Sequence, residues 1–552
     1  MTSEIRIDTL RALIDNSAIK YRDHLALSYI QKQKIHYHEL YDHVHRIGNW
    51  FLKHNIQKGS KVAIVGENSP HWAAVFFSIT YMGAVAVPIL PDFSDMEINN
   101  ILAHSESEIL FISHRLYQKH QATLDFKGPI VFLDHLEIAG SKSHILDFDY
   151  DHAKNKIVLP DLDPDDLASI IYTSGTTGRS KGVMLSHRNL TFVAEKVLDV
   201  QSVYDTDVFL SILPLSHVYE NVLGLILPMR QGASVHYMTK PPTPSILLAT
   251  LQHVKPTLML SVPLVIEKIY NQRIKPKLGL DKKFSFKRLI YFGPFRKLIN
   301  RKAGRAMMKV FGSRLRFFGI GGAPLDPTVE KFLREAHFPY SCGYGLTETA
   351  SLVAGSKVKH VHYRSVGPVL NGLECKVDAS HGGEGEIVVK GPSVMKGYYK
   401  EEEMTKSVLR DGWFHTGDLG SFEDGNLYIR GRSKNMILGP SGENIYPEEI
   451  EYVLNNMEGV MESMVYEKKG KIIAKVYMNQ EELAKKYEFF KQAASDKHAE
   501  IQQQLNGYLQ QMKQRLNNNL NRFSHVSELR IVTHPFEKTP THKIKRYLYT
   551  AD

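Results

Sequence analysis

The chain reads as an α/β protein built largely on parallel sheet. Three observations predict this. Short apolar runs closed by glycine or a polar residue recur at 61–66, 108–113 and 130–134, as strands buried on both faces do. Helical patterns fall between them, the clearest opening near Ser69-Pro70, and strands alternating with helices need crossover connections. The length, 552 residues, exceeds what one hydrophobic core organises, so two or more domains are expected.

The elements follow in order. Residues 73–90 carry no formal charge and approach membrane-spanning length. Ser78, Thr80, Tyr81, Gly83 and Pro88 argue instead for a helix ending at Gly83, then a buried strand from Ala84 to Val87. The stretch 169–172 reads as a strand feeding a Gly/Ser/Thr loop, with a helix expected after it. Residues 208–213 form another strand before Pro214, and 314–320 a third that ends in Gly321-Gly322-Ala323-Pro324. From 427 the character changes. A strand at 427–430 leads into a glycine-rich polar stretch at 431–442, then a strand at 471–478 and one long polar helix. In that helix Ile501, Leu505, Tyr508, Met512, Leu516 and Leu520 recur at three or four residues, a packing face. A boundary is expected near Arg432 to Asn435, dividing the chain into 1–433 and 434–552.

Composition is that of a soluble globular protein, 43% apolar and 23% charged. Lys and Arg number 69 against 59 Asp and Glu. That mild excess suits anionic ligands such as nucleotides, or loose contact with an anionic membrane surface. It reads as a scattered solvated surface, with no nucleic-acid partner expected. Cys342 and Cys375 cannot build a disulfide framework and have no Cys or His at zinc-ligand spacing. A reducing, cytoplasmic setting is expected, with peripheral membrane contact left open. The first residues mix charges too early for a signal peptide.

The segment richest in chemistry is Thr173-Ser174-Gly175-Thr176-Thr177-Gly178-Arg179-Ser180-Lys181-Gly182. Two glycines let the backbone approach a ligand, while N–H groups, hydroxyls, Arg179 and Lys181 suit a polyphosphate. It is not a Walker A loop, which requires Gly-Lys-Ser/Thr at its end. A lone glycine-rich loop is equally read as a flexible surface loop.

This loop resembles the phosphate-binding signature of the adenylate-forming superfamily: acyl- and aryl-CoA synthetases, luciferases and peptide-synthetase adenylation domains. Further blocks of that family follow in order. They are Leu213-Pro214-Leu215-Ser216-His217, Gly321-Gly322-Ala323-Pro324, Gly343-Tyr344-Gly345-Leu346-Thr347-Glu348-Thr349 and Gly385-Glu386-Ile387. After these come Gly412-Trp413-Phe414-His415-Thr416-Gly417-Asp418, Gly431-Arg432 and Lys538-Thr539-Pro540-Thr541-His542-Lys543. The resemblance implies a large N-terminal domain of α/β subdomains with parallel sheets and a small mobile α+β C-terminal domain. It also implies roles. Asp418 would accept the ribose hydroxyls, and Gly321, Gly322 and Ala323 would lie against adenine, with Tyr344 stacking and Gly345 nearby. Thr347 would bond the α-phosphate, Glu348 would hold Mg²⁺, and Arg432 would contact ribose or phosphate. His217 would stand at the mouth of the carboxylate pocket. Lys543 would be the catalytic cation, with Lys545 as the alternative because His542 stands where the family has Gly. Lys434 would be the hinge.

The implied reaction joins a carboxylic acid to CoA through an acyl-adenylate, releasing pyrophosphate and then AMP. Mg²⁺ is the cofactor; ATP, CoA and a fatty acid are the substrates. Ser441-Gly442-Glu443-Asn444-Ile445 and the Phe414 to Asp418 block look like long-chain fatty acyl-CoA synthetases. The apolar stretch 222–227 reads equally as acyl-tunnel lining or ordinary core. An aryl acid, or a carrier protein in place of CoA, is the alternative.

Overall fold

The computed structural model describes residues 7–141, 143–147, 159–174, 180–240, 243–280, 290–381, 383–438, 444–457, 459–468, 470–479, 498–539 and 543–550. Most of the chain forms a large N-terminal α/β region on two eight-stranded sheets. In the first, strands Lys61–Val65, Val85–Ile89, Ile109–Ile112 and Ile130–Phe132 run parallel. Val62 and Ile64 enter one hydrophobic cluster while Ala63 and Val65 enter another. Both faces are therefore covered, which is why these runs read as continuous apolar segments rather than alternating ones.

The helix Pro70–Tyr81 starts where Ser69 Oγ accepts from the Trp72 N–H and Pro70 takes the first turn, a combination of cap and preset φ. All of its residues but His71 are buried. It ends at Tyr81, with Gly83 at φ +79° turning the chain into Val85–Ile89. Among the described residues no helix is long and apolar enough to cross a membrane; this charge-free stretch is core packed between two sheets. Its Trp72, Phe76 and Phe77 join Trp50 and Phe51, and the same cluster takes in Phe209, Val235 and Leu258 of the second sheet. Burying each such side chain contributes about 1.5–3 kcal/mol.

The second sheet carries the parallel strands Leu25–Tyr29, Ser234–Tyr237, Val208–Ser211, Leu258–Ser261, Phe317–Ile320 and Tyr340–Tyr344. A smaller antiparallel sheet follows, with Glu374–His381, Glu384–Lys390, Trp413–Glu423 and Asn426–Arg432 in sequence across it.

The Gly/Ser/Thr loop is held differently from expectation. No helix follows it directly. Strand Ser180–Ser186 returns antiparallel to Leu167–Ser174, pairing Thr173 with Lys181 and Ser174 with Ser180. Val183 and Leu185 are fully buried, so the segment after the loop has the period of a strand, and the helix His187–Lys196 begins only at the Ser186 cap. Gly175, Thr176, Thr177, Gly178 and Arg179 lie outside the described residues, as does the side chain of Ser174.

The C-terminal region is a small α+β unit. Val460–Lys468, Lys471–Met478 and Glu528–Val532 form a three-stranded sheet, covered by helices Pro447–Asn455 and His498–Asn517. Met512 and Leu516 are buried in its core, with Tyr508 and Leu520 packed beside them. The stripe is thus a packing face over that part; the side chains of Ile501 and Leu505 lie outside the described residues, and Leu520 falls beyond the helix end.

Candidate active site

Strand ends of the second sheet open onto one cleft, as parallel α/β sheets place ligands beyond the carboxyl ends of their strands. Phe317–Ile320 delivers Gly321, Gly322 and Ala323. Gly321 is buried, and its N–H donates to the Ser261 carbonyl. Gly322, at φ +86°, and Ala323 are exposed, leaving bare backbone for a flat group. Tyr340–Tyr344 delivers the turn that carries Thr347 and Glu348. A Cβ on Gly345 would stand 1.8 Å from the Ser351 carbonyl oxygen, so only glycine lets this turn close.

Asp418 is the best-anchored acid in the cleft. The antiparallel register pairs it with Arg432, and Arg432 Nε stands 2.9 Å from Asp418 Oδ1. Tyr344 Oη donates to Asp418 Oδ2 at 2.8 Å. Each carboxylate oxygen retains a lone pair for a further donor, which fits a diol. Behind it, Glu386 Oε1 accepts from Gly417 N at 2.9 Å and Oε2 is 2.9 Å from His415 Nδ1. Thr416 Oγ1 donates to the Ile387 carbonyl. Tyr344, expected to stack on adenine, has its ring in a hydrophobic cluster and its hydroxyl on Asp418. Burial, then Asp418, pushes its phenol up.

Glu348 accepts from Tyr398 Oη at 2.9 Å through Oε1. Tyr398 also lies beneath Lys181, whose Nζ is 5.1 Å from the ring centroid. Pairing of Gly397–Tyr398 with the strand carrying Lys181 creates this contact. Burial lowers the Lys181 pKa, Lys434 lowers it further, and Glu348 opposes. Lys543 behaves in the same way: burial lowers its pKa, Arg432 adds to that, and Asp418 and Glu348 oppose. The Lys543 residue is solvent-accessible, yet enough protein surrounds its ammonium to make the charged form less favourable than in water. Lys545 instead lies 3.8 Å from Glu537. Lys181 and Lys543 thus both face Glu348, Lys543 and Arg432 both face Asp418, and Lys434 lies close enough to Lys181 to repel it, so four cations gather about two carboxylates. Such a surplus of mutually repelling cations calls for an anionic ligand.

His217 stands at the start of a short helix, its Nδ1 accepting from the Tyr219 N–H at 3.3 Å. Burial, then Lys543, brings its pKa down to about 4. The ring is therefore neutral near pH 7, with its proton on Nε2 as a donor. Asn68 fixes the preceding backbone: its Oδ1 accepts from Leu215 N, and its Nδ2 donates to the Leu213 carbonyl and to Ser211 Oγ. The apolar stretch 222–227 follows, its first five residues in a π-helix, Asn221–Ile226, and Leu227 opening the next helix, and it is buried throughout.

Mg²⁺ takes few protein ligands and many phosphate and water oxygens. Glu348 fits that demand as a single carboxylate facing a cationic cleft. Among the described residues no cluster of three or more His, Cys, Asp or Glu could cage a metal. Both cysteines are unpaired, and burial pushes the Cys375 thiol up to about 12, so neither is a ready nucleophile.

Sequence reasoning had no role for Tyr398, His415, Asn68 or Glu220, and quoted Glu386 without one. The periodicities carry no signal for them, because each acts through a partner outside its own element, nine residues away for Glu220 and 29 or more for the others.

A family model described as AMP-binding enzyme matches residues 14–399. Long chain acyl-CoA synthetase 1 of Arabidopsis thaliana is 29% identical over 572 residues, covering 93% of this chain and 84% of the relative. Long-chain-fatty-acid–CoA ligase FadD15 of Mycobacterium bovis is 31% identical over 429 residues, covering 72% and 69%. O-succinylbenzoate Coenzyme A synthetase (MenE) from Bacillus subtilis, solved in complex with AMP, matches with a TM-score of 0.75 at 21% identity, covering 98% of both chains. The same enzyme solved with ATP and a magnesium ion gives 0.71 at 22%, covering 97% of this chain and 98% of that one. The chain therefore belongs to the AMP-binding enzyme family, among its AMP-forming acid–CoA ligases, and has the fold of the adenylate-forming enzymes.

Proposed function

We propose that this protein is a fatty acid–CoA ligase that works through an acyl-adenylate. The observation carrying the reading is the gathering of Lys181, Arg432 and Lys543 about Glu348 and Asp418, with Lys434 beside Lys181. Long-chain acyl-CoA synthetases among the relatives support the acid class.

In the first half-reaction an oxygen of the acid attacks the α-phosphorus of ATP, and the bond to the bridging oxygen of pyrophosphate breaks. Two anions must meet, and charge builds on the phosphoryl oxygens. Lys543 supplies the positioned cation for that charge, while Thr347 donates to the α-phosphate. Lys181, with the loop of Thr173 to Gly178, holds the departing β- and γ-phosphates. Asp418 accepts the ribose hydroxyls, with Arg432 and Tyr344 fixing its orientation. Gly321, Gly322, Ala323 and Gly345 form the floor for adenine. Glu348, oriented by Tyr398, would hold Mg²⁺, which when bound neutralises phosphate charge. Neutral His217 offers its Nε2–H to the acid. In the second half-reaction the CoA thiol attacks the acyl carbonyl, AMP leaves with the bonding pair, and the thiol proton passes to solvent. Residues 1–433 form the adenylating domain, and 434–552 rotate about Lys434 between the two steps.

Acid-dependent ATP–pyrophosphate exchange across saturated fatty acids of graded length and aromatic acids tests the reading. Exchange that rises with medium or long chains is expected. Exchange with aromatic acids alone would overturn the fatty acid assignment, and exchange with none would overturn the adenylation. Comparing AMP release with CoA and with a phosphopantetheinyl carrier protein tests the acceptor.

A further inference from the structure

The net charge of this chain is not scattered. Residues 270–280 and 290–310 hold nine Lys and Arg and no Asp or Glu. Of 69 basic residues, removing these nine leaves 60 against 59 acidic ones. This corrects the expectation of an evenly solvated basic surface: nearly all of the excess sits on one excursion between strands Leu258–Ser261 and Phe317–Ile320.

Its main element is the helix Arg296–Val310. One face is fastened to the protein. Asn300, Gly304 and Met307 are buried, and a Cβ on Gly304 would stand 2.2 Å from the Ala336 carbonyl oxygen. Glu335, the acid at this seam, is taken up by Arg296 at 2.7 Å and by Asn300 at 2.7 Å. The opposite face carries Lys297, Arg301, Lys302, Arg305 and Lys309, all exposed, at the three-and-four spacing of one helix side. At the N-terminal end of that face Phe292, Phe295 and Leu298 are 65%, 59% and 65% exposed. Three large apolar side chains within seven residues form a patch rather than the single exposures any surface shows.

We propose that this outer face docks on an anionic lipid bilayer. A rigid helix with a basic face and large apolar groups at one end lies in the headgroup region, its charges on anionic lipids and its apolar groups in the acyl boundary. Nucleic acid would answer the charge but not the three apolar side chains, which stand together at one end rather than among the cations as stacking platforms would. The excursion returns through Phe317–Ile320 to Gly321 at the cleft, so the docked face lies one strand away from the site. Docking does not depend on which acid the cleft accepts.

Sedimentation of the full chain with phosphatidylcholine vesicles, with and without phosphatidylglycerol, tests this. Binding should require phosphatidylglycerol. The triple variant Lys297→Gln, Lys302→Gln, Arg305→Gln should weaken it by roughly fivefold per charge. The triple variant Phe292→Ser, Phe295→Ser, Leu298→Ser should lose at least roughly tenfold, and should lose the binding that survives raised salt. Both variants should retain ATP–pyrophosphate exchange with a water-soluble acid, which shows that they fold. Equal vesicle binding by the parent and both variants would overturn the proposal. So would an unchanged apolar variant together with duplex DNA binding as tight as vesicle binding, which would mark a nucleic-acid surface.

Discussion

Glu220 offers the sharpest quantitative test of how the cleft is built. It lies where the chain turns from His217 into the π-helix Asn221–Ile226, and is 2% exposed. Its Oε1 accepts from Ser211 Oγ at 2.5 Å, and its Oε2 has no hydrogen-bond partner among the described residues. Burial, opposed by the Ser211 hydroxyl, pushes the carboxyl up from 4.5 to about 8. Near pH 7 it is a neutral acid. The sign follows from proton counting. Between the unfolded and folded values the native state holds a proton that the unfolded chain has released, so stability falls as pH rises through that window and levels off above it. Each unit is about 1.4 kcal/mol, so from about pH 5.5 to about pH 8 the wild type loses about 3 kcal/mol to this one group. Glu220→Gln keeps the shape and the acceptor for Ser211 but cannot ionise. The stability difference, variant minus wild type, should therefore grow by about 3 kcal/mol over that interval. Urea denaturation of both proteins at the two pH values measures it. Any constant packing difference cancels in the comparison. A difference that stays flat with pH would refute the neutral, buried carboxyl.

Other expectations concern the cleft directly. Lys543→Ala should reduce acid-dependent pyrophosphate exchange by about 10²–10³-fold, while Lys545→Ala, whose ammonium lies toward Glu537, should stay within about twofold of wild type; the reverse ranking would move the catalytic role to Lys545. Tyr398→Phe removes the hydroxyl on Glu348 and should cost about 1 kcal/mol, read as a several-fold rise in the KM for MgATP with little change at saturation. An unchanged KM would show that Glu348 is oriented by something else. Lys434→Pro should spare adenylate formation and slow thioester formation; if both half-reactions ran at the parent rate, the hinge would lie elsewhere.

How far the sequence alone carried this reading depended on the range of the interaction. Lys61–Val65 and Ile109–Ile112 were legible because burial on both faces leaves an unbroken apolar run. Pro70–Tyr81 was legible from its cap and its proline. The segment after the phosphate loop misled, since a short strand and a helical start look alike until the partner strand is known. Asp418 and Arg432 could be named from motifs, but not the register that joins them. Tyr398 reaches Glu348 only because Gly397–Tyr398 edges onto the strand bearing Lys181, a contact with no local pattern. The π-helix after His217 was equally hidden: an apolar run of six has no periodicity to distinguish its winding from that of a strand or an α-helix.

If Lys543 acts as proposed, the way it is held bears on how it could leave the cleft between the two steps. Within its own region the segment is firmly pinned. Lys538 lies 2.5 Å from Glu462, and Arg546 lies 2.6 Å from Glu451, whose burial pushes that carboxyl up to about 7 against the pull of Arg546. Thr539 N donates to the Lys543 carbonyl, and Lys543 N donates to Thr539 Oγ1. Toward the cleft, by contrast, Lys543 closes no ion pair with a described residue. It is drawn by Asp418 and Glu348 and repelled by Arg432, and Asp418 is already committed to Arg432 and Tyr344. A cation held rigidly from behind and only weakly from in front is stable in the cleft when an anion joins it there. On the proposed reaction, departure of pyrophosphate would remove part of the negative charge in the cleft and leave only the α-phosphate of the adenylate facing Lys543, while the repulsion from Arg432 remains. Under the proposed two-step reaction, release of the first product would thus weaken the hold on this segment, as a withdrawal of Lys543 before thiol attack would require.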